Sequence, residues 1–304
     1  MNIEIILAKL ICVQTEENNI PEYQSPNSKE IAETSQSNTN PTPDNPPWNS
    51  GTAFAVWIAS VFLIVVFPNL FILPYILQQG IKATDSAQML EFLQKDPTAI
   101  VLSIVAIIPA HIFTLILAWF VVTRFRKFSF RQTLGWQWGG FTWWNCLLIL
   151  GGFFVVAGLI SHFLPEQDND LLRILRSSRT AVYIVAFMAT FTAPIVEEVI
   201  YRGILYSAFQ RTFGVAAAVF VVTGLFALVH VPQYYPSYST IFLICLLSLI
   251  LTLIRVRTRN LLPCIVLHTI FNGIQSLVLI LEPFLQEFAS QPENKSAFFI
   301  KLIM

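Results

Sequence analysis

Five residues that a lipid bilayer does not readily accept lie inside the apolar stretch from Thr180 to Ser290. They are Glu197, Glu198, Arg202, His230 and His268, with Asn272 one turn after the last. No Asp, Glu, Lys or Arg occurs between Arg211 and Arg255, where His230 is the one basic side chain; His268 stands alone in the same way between Asn260 and Leu281. A charge at the centre of a membrane helix costs about 2.5–3.5 kcal/mol on insertion scales. Two Glu and one Arg left unpaired would cost roughly 8–10 kcal/mol, comparable to the stability of a whole domain. Residues this costly persist because they face one another and carry function. The chemistry they suit is hydrolysis. A carboxylate in a dry site can act as a general base toward water, and an imidazole can share that water or protonate a leaving amine. A His and an Asn one turn apart can donate to a developing oxyanion. No Gly-x-Ser-x-Gly elbow or Cys–His arrangement supplies a nucleophile, and Ser207 has no evident base, so water is the expected attacking group.

Helical spacing limits which of these side chains can meet. Neighbours on an α-helix point about 100° apart, so the two carboxylates cannot aim at one spot. Glu198 and Arg202, at i and i+4, share a face and are expected to form a structural ion pair. Glu197 is then the free carboxylate, turned toward another helix, with Pro194 loosening the backbone one turn earlier. Phe226 and His230 repeat the four-residue spacing, and Pro232 is expected to stop that helix. His268 and Asn272 repeat it again. If the three segments converge, they bring together one acid–base carboxylate, two imidazoles, one amide and an ion pair.

The elements that must position these groups are membrane helices. The chain has 304 residues, of which 55% are hydrophobic and 12% charged, with a mean hydropathy of +0.64. An ordinary soluble domain carries about 25% charged residues. The expected fold class is all-α, a polytopic transmembrane helix bundle of about seven to eight spans. Spans are read at roughly 54–77, 98–122, 143–164, 181–206, 214–232, 238–256 and 262–283. The short alternating segments of a membrane β-barrel are absent. Zero net charge and the lack of a basic stripe argue against nucleic acid as a partner. Cys12, Cys146, Cys245 and Cys264 are scattered, without the spacing of a disulfide framework or zinc knuckle.

Four regions follow. Residues 1–50 read as a disordered polar N-terminal tail, rich in Asn, Ser, Thr, Pro and Glu. Residues 51–170 are N-terminal transmembrane helices, 171–290 the core that carries the polar set, and 291–304 a C-terminal tail. Arg124, Arg126, Lys127 and Arg131 after the second span, and the Arg255–Arg259 cluster, place those loops in the cytoplasm. Arg173, Arg176 and Arg179 fall on the opposite side and work against that orientation. Trp136, Trp138, Trp143 and Trp144 read as an interfacial belt.

The motifs Glu197-Glu198-x-x-x-Arg202, Phe226-x-x-x-His230 and His268-x-x-x-Asn272, in this order on successive membrane segments, resemble the CPBP family. That family comprises CAAX prenyl endopeptidases and bacteriocin-processing or self-immunity (Abi) proteins. The resemblance covers about Thr180 to Pro283. It implies an intramembrane endopeptidase in the plasma membrane or another internal membrane. Its partners would be the lipid bilayer and a membrane-anchored, CaaX-type prenylated or unmodified protein or peptide. By the same resemblance Glu197 would activate water with His230 as its partner, His268 and Asn272 would bind the oxyanion, and Glu198 and Arg202 would be structural. A metal-free mechanism is favoured. The alternative is a divalent metal such as zinc held by Glu197, His230 and His268, although no HExxH is present and no second free carboxylate would remain as base.

The same residues admit other readings. A noncatalytic scaffold or bacteriocin self-immunity protein could use the same fold. A proton-coupled transporter could use the same Glu and His types, but transporters carry repeats and broken helices in both halves, whereas these residues cluster in one. His111 reads as a satisfied structural histidine and His162 as an interfacial one. Gly203 and Gly214 are expected to allow close helix approach.

Overall fold

The computed structural model of the chain describes residues 40–82 and 86–290. Seven helices among them are long and apolar enough to cross a bilayer: α1 (Ser50–Gln78), α2 (Pro97–Thr123), α3 (Trp143–Phe163), α4 (Arg179–Phe213), α5 (Val215–Tyr234), α6 (Tyr238–Thr258) and α7 (Leu262–Leu285, helical on to Ser290). Large apolar side chains such as Phe62, Val65, Leu148 and Phe220 face outward along the spans. Helices that are apolar on every side need lipid as their solvent, and the protein is an integral, multi-pass, all-α membrane protein. The described residues contain no strand, only an isolated bridge between Thr42 and Asn45. Short helices at Ser86–Lys95, Phe130–Leu134 and Asp170–Ser177 lie in the connections.

Local chemistry fixes where the spans begin. The Asn49 side chain caps α1 by accepting from the Thr52 amide at 2.8 Å. Asp96 caps α2 through Ala99 at 2.7 Å, with Pro97 in the first helical position. Thr142 and Asn145 form a reciprocal capping box on α3. Gly214, at φ +84°, makes the turn between α4 and α5. Its expected role in close helix approach does not hold, since a Cβ there would meet open space. Gly203 does sit at a close approach: a Cβ would lie 3.1 Å from Leu134 Cδ2 and 3.4 Å from Leu261 Cδ2.

Helix α4 packs against α1, α2, α5 and α7, while α3 packs on α6 and α7. It is not uniformly wound. Two π-type segments, Met188–Thr192 and Val199–Leu205, flank the α-helical turn Ala193–Glu198 that carries both glutamates. Pro194 at the start of that turn has no amide hydrogen, so the normal ladder is interrupted just before Glu197. Helix α4 also continues to Phe213 rather than ending near 206. Tyr206, Ser207, Ala208 and Phe209 are buried there. Pro232 does not stop α5 at once; the helix runs on to Tyr234, because a proline in the last turn removes only one ladder bond.

The expectation of a disordered tail through Ser50 is corrected for residues 40–50, the last of which opens α1. Residues 40–49 pack on the ends of α4 and α6. The Trp48 ring is buried and its Nε1 donates to the Ile204 carbonyl at 3.0 Å. Fully buried Arg255 of α6 pairs with Asp44 at 2.9 Å and donates to the Pro43 carbonyl at 2.7 Å and to Ser207 Oγ at 3.2 Å. Arg211 of α4 donates to the carbonyls of Pro46 at 2.7 Å and Trp48 at 2.9 Å. A polar, proline-rich stretch buries little apolar surface of its own. Here guanidinium groups more than 160 positions away satisfy its carbonyls. The remainder of the tail and the 291–304 segment lie outside the described residues.

Candidate active site

Helix α4 brings Glu198 and Arg202 together at 2.8 Å, both side chains fully buried. Arg202 is satisfied on its other side by α6: its Nη2 donates to the Ser248 carbonyl at 2.9 Å and to Ser248 Oγ at 2.8 Å, and its Nε to Thr252 Oγ1 at 3.3 Å. The guanidinium also lies 4.7 Å from the Phe226 ring centroid. A buried charge with this many donors engaged is held in one orientation, which is what makes such a pair tolerable.

His268 of α7 enters between the two carboxylates. Its Nδ1 bonds Glu198 Oε1 at 2.8 Å, and its Nε2 lies 3.7 Å from Glu197 Oε2. The Glu197 side chain remains 21% exposed while that of Glu198 is 0% exposed. Of the two adjacent carboxylates, Glu197 is therefore the accessible one and Glu198 the sealed one. Glu198 Oε2 is buried with no hydrogen-bond partner.

His230 of α5 reaches the cluster through an aromatic contact. Its ring is 4.6 Å from Phe226, and Phe226 is 6.1 Å from His268. His230 Nδ1 bonds the Phe226 carbonyl at 2.7 Å. A carbonyl only accepts, so Nδ1 carries the proton and Nε2 is left as the available nitrogen. The Tyr234 ring stacks on the far side of His230 at 6.4 Å.

Asn272 is tied to the irregular part of α4. In π winding an amide bonds the carbonyl five residues back, and Ala193 donates to the Met188 carbonyl in that register. The next donor in that register would be residue 194, aimed at Ala189, and proline has none. Asn272 Nδ2 donates to the Ala189 carbonyl instead, at 2.8 Å. One turn on, Ser276 donates to the Ala186 carbonyl at 3.3 Å and accepts from Thr190 at 3.1 Å. From α2, buried His111 bonds Thr192 Oγ1 at 3.0 Å, and that hydroxyl donates to Met188 at 3.2 Å. The structural reading of His111 fits this geometry.

All six polar residues picked out in the sequence lie on α4, α5 and α7: Glu197, Glu198, Arg202 and His268 form one connected cluster, His230 joins it through Phe226, and Asn272 bonds the α4 backbone. Sequence reasoning missed Ser248 and Thr252, which hold Arg202, and Ser276, which holds α4. Four-residue spacing of hydroxyls inside apolar helices was the available signal for the first pair. Among the described residues no group of three or more His, Cys, Asp or Glu gathers closely enough to hold a metal ion. Cys264, one turn before His268, is buried, and its thiol is directed at the Leu251 carbonyl at 3.3 Å.

A polytopic helix bundle with carboxylates and imidazoles buried at membrane depth defines a class of intramembrane site. Residues 179–274, from the start of α4 into α7, match the family model described as type II CAAX prenyl endopeptidase Rce1-like. The match takes in all three motifs and supports a peptidase of the CAAX prenyl endopeptidase type. A search of curated proteins and a search of solved structures each gave no significant match.

Proposed function

We propose that the protein is an intramembrane endopeptidase that hydrolyses a peptide bond in a membrane-anchored substrate, with Glu197 as the base that activates water. The observation that carries the reading is the meeting of two α4 carboxylates with His268 of α7, one carboxylate sealed and ion-paired, the other partly exposed. Glu197 takes a proton from water as the water oxygen attacks the scissile carbonyl carbon. His230 Nε2, the ring nitrogen with no helix partner, accepts a hydrogen bond from the same water. The tetrahedral oxyanion receives the second amide hydrogen of Asn272 and, once His268 is protonated at Nε2, a hydrogen bond from that nitrogen. The C–N bond then breaks, and the proton drawn from water passes to the leaving nitrogen, giving a carboxylic acid and an amine, which become carboxylate and ammonium by transfer of the acid proton. Glu198 and Arg202 hold the frame.

The reading uses no metal. A substrate held at the membrane by a lipid, such as a prenylated CaaX-type tail, suits a site reached from within the bilayer. The test compares wild type with Glu197→Gln in proteoliposomes, each offered prenylated and unmodified peptides with and without chelator. Cleavage by wild type alone, insensitive to chelator, is the expected outcome. Equal cleavage by Glu197→Gln would overturn the role of Glu197, and loss on chelation would overturn the metal-free mechanism. No cleavage of any peptide by folded wild type would favour a noncatalytic scaffold or immunity role.

A further inference from the structure

The Glu198–Arg202 pair does more than neutralise charge. Glu198 Oε1 accepts two hydrogen bonds at once, from Arg202 Nη1 and from His268 Nδ1, each 2.8 Å long. All three groups are buried, with relative exposures of 0%, 0% and 2%. Arg202 is in turn fixed to α6 through Ser248 and Thr252. The orientation of one carboxylate is therefore set by two helices, and that carboxylate sets the orientation of an imidazole on a third.

A carboxylate accepts, so the proton of this bond sits on His268 Nδ1. The other ring nitrogen is thereby assigned: Nε2 is the one that points at Glu197, 3.7 Å from Oε2. That separation is beyond a direct hydrogen bond but leaves the two atoms facing each other across a small gap. A buried acid that holds a histidine by one nitrogen selects the tautomer and aims the opposite nitrogen at the reacting group.

We propose that Glu198, anchored by Arg202, is a positioning residue that keeps the proton of His268 on Nδ1 and so presents Nε2 to Glu197 for proton exchange. The catalytic consequence rests on the peptidase reading; the tautomer does not. Removing Glu198 alone would strand Arg202, so the informative variant replaces both with apolar side chains of similar length, Glu198→Met with Arg202→Met, since exchanging a whole buried pair is often tolerated.

The chain has four histidines, which makes selective ¹⁵N-histidine labelling tractable, with His268→Gln identifying the signal. In wild type, His268 is expected to carry a proton on Nδ1. In the paired Met variant the ring is expected to lose that fixed tautomer and populate Nε2–H. Turnover should fall about 10–100-fold with little change in KM, the usual range for loss of a group that orients another. A wild-type ring unprotonated at Nδ1 would overturn the proposal without any variant. So would a paired Met protein that keeps Nδ1–H. The spectra need no substrate. A tautomer that shifts as expected in a protein that cleaves nothing would uphold the positioning role and remove the peptidase reading, while a fixed tautomer with intact cleavage would do the reverse.

Discussion

Pro194 has no hydrogen to give, and a side chain three spans further along the chain gives one in its place. The geometry makes Asn272 a repair to the α4 backbone as well as a neighbour of the site: its Nδ2 stands where the amide of residue 194 would otherwise donate to the Ala189 carbonyl. An unsatisfied buried acceptor costs about 1–3 kcal/mol. Asn272→Leu is therefore expected to destabilise the protein by about that amount. In a Pro194→Ala background, where the amide is restored, the loss should shrink, giving a coupling of about 1 kcal/mol in a double-mutant cycle read by thermal unfolding in detergent. Equal losses in the two backgrounds would sever the link. A second residue-scale expectation concerns the ion pair. Arg202→Ala leaves Glu198 buried with only His268, at a cost of about 3–5 kcal/mol, and should appear as poor folded yield. Abundant, normally melting Arg202→Ala protein would remove its structural role. The meeting of Glu198 with Arg202 was legible in the sequence because i and i+4 on one helix are neighbours whatever the tertiary fold. The Pro194–Asn272 link was not, because it depends on a π register and on the facing of two distant helices.

At the scale of elements, the spans were legible because bilayer thickness dictates their length and composition. The winding within α4 was only half legible. Pro194 signalled a disturbance, but not that π-type segments would lie on both sides of the glutamates. Residues 40–49 were misread for a clear reason. Composition reports what a segment can bury by itself, and this one is held by arginines of α4 and α6 that donate to its carbonyls, with Trp48 as its one large buried ring. Of these arginines, Arg255 reads in the sequence simply as a loop charge. The strap ties the ends of α4 and α6 together, and Arg202 ties their interiors, so both joints support the helix that bears the glutamates. Trp48→Ala is expected to cost about 3–5 kcal/mol as a buried aromatic truncation. It should lower the melting temperature and expose residues 40–49 to protease before the rest of the bundle. A variant that melts and resists cleavage like wild type would show the strap to be dispensable.

For the molecule as a whole, the strap also fixes which helix ends belong to one face. It touches the C-terminal ends of α4 and α6 through Arg211 and Arg255, and the end of α2 through the bond from Arg124 to the Pro47 carbonyl. Exposed Arg124, Arg126, Lys127, Arg131, Arg257 and Arg259 gather around these ends. The loop that argued against this orientation carries Arg173 and Arg176, both bonded to Asp168, at 3.3 and 2.7 Å. Acidic neighbours do little to cancel a positive-inside signal, so the decision rests on the larger number of basic residues at the strap face. That face should lie in the cytoplasm. With the native cysteines replaced, Lys127→Cys on intact cells should resist a membrane-impermeant maleimide until the membrane is opened, whereas Gln167→Cys should label at once. The reverse pattern would invert the bundle. It would also change which aqueous compartment lies beyond the α5 end, where His230 and Tyr234 stack, and hence the side from which a soluble segment of the substrate arrives.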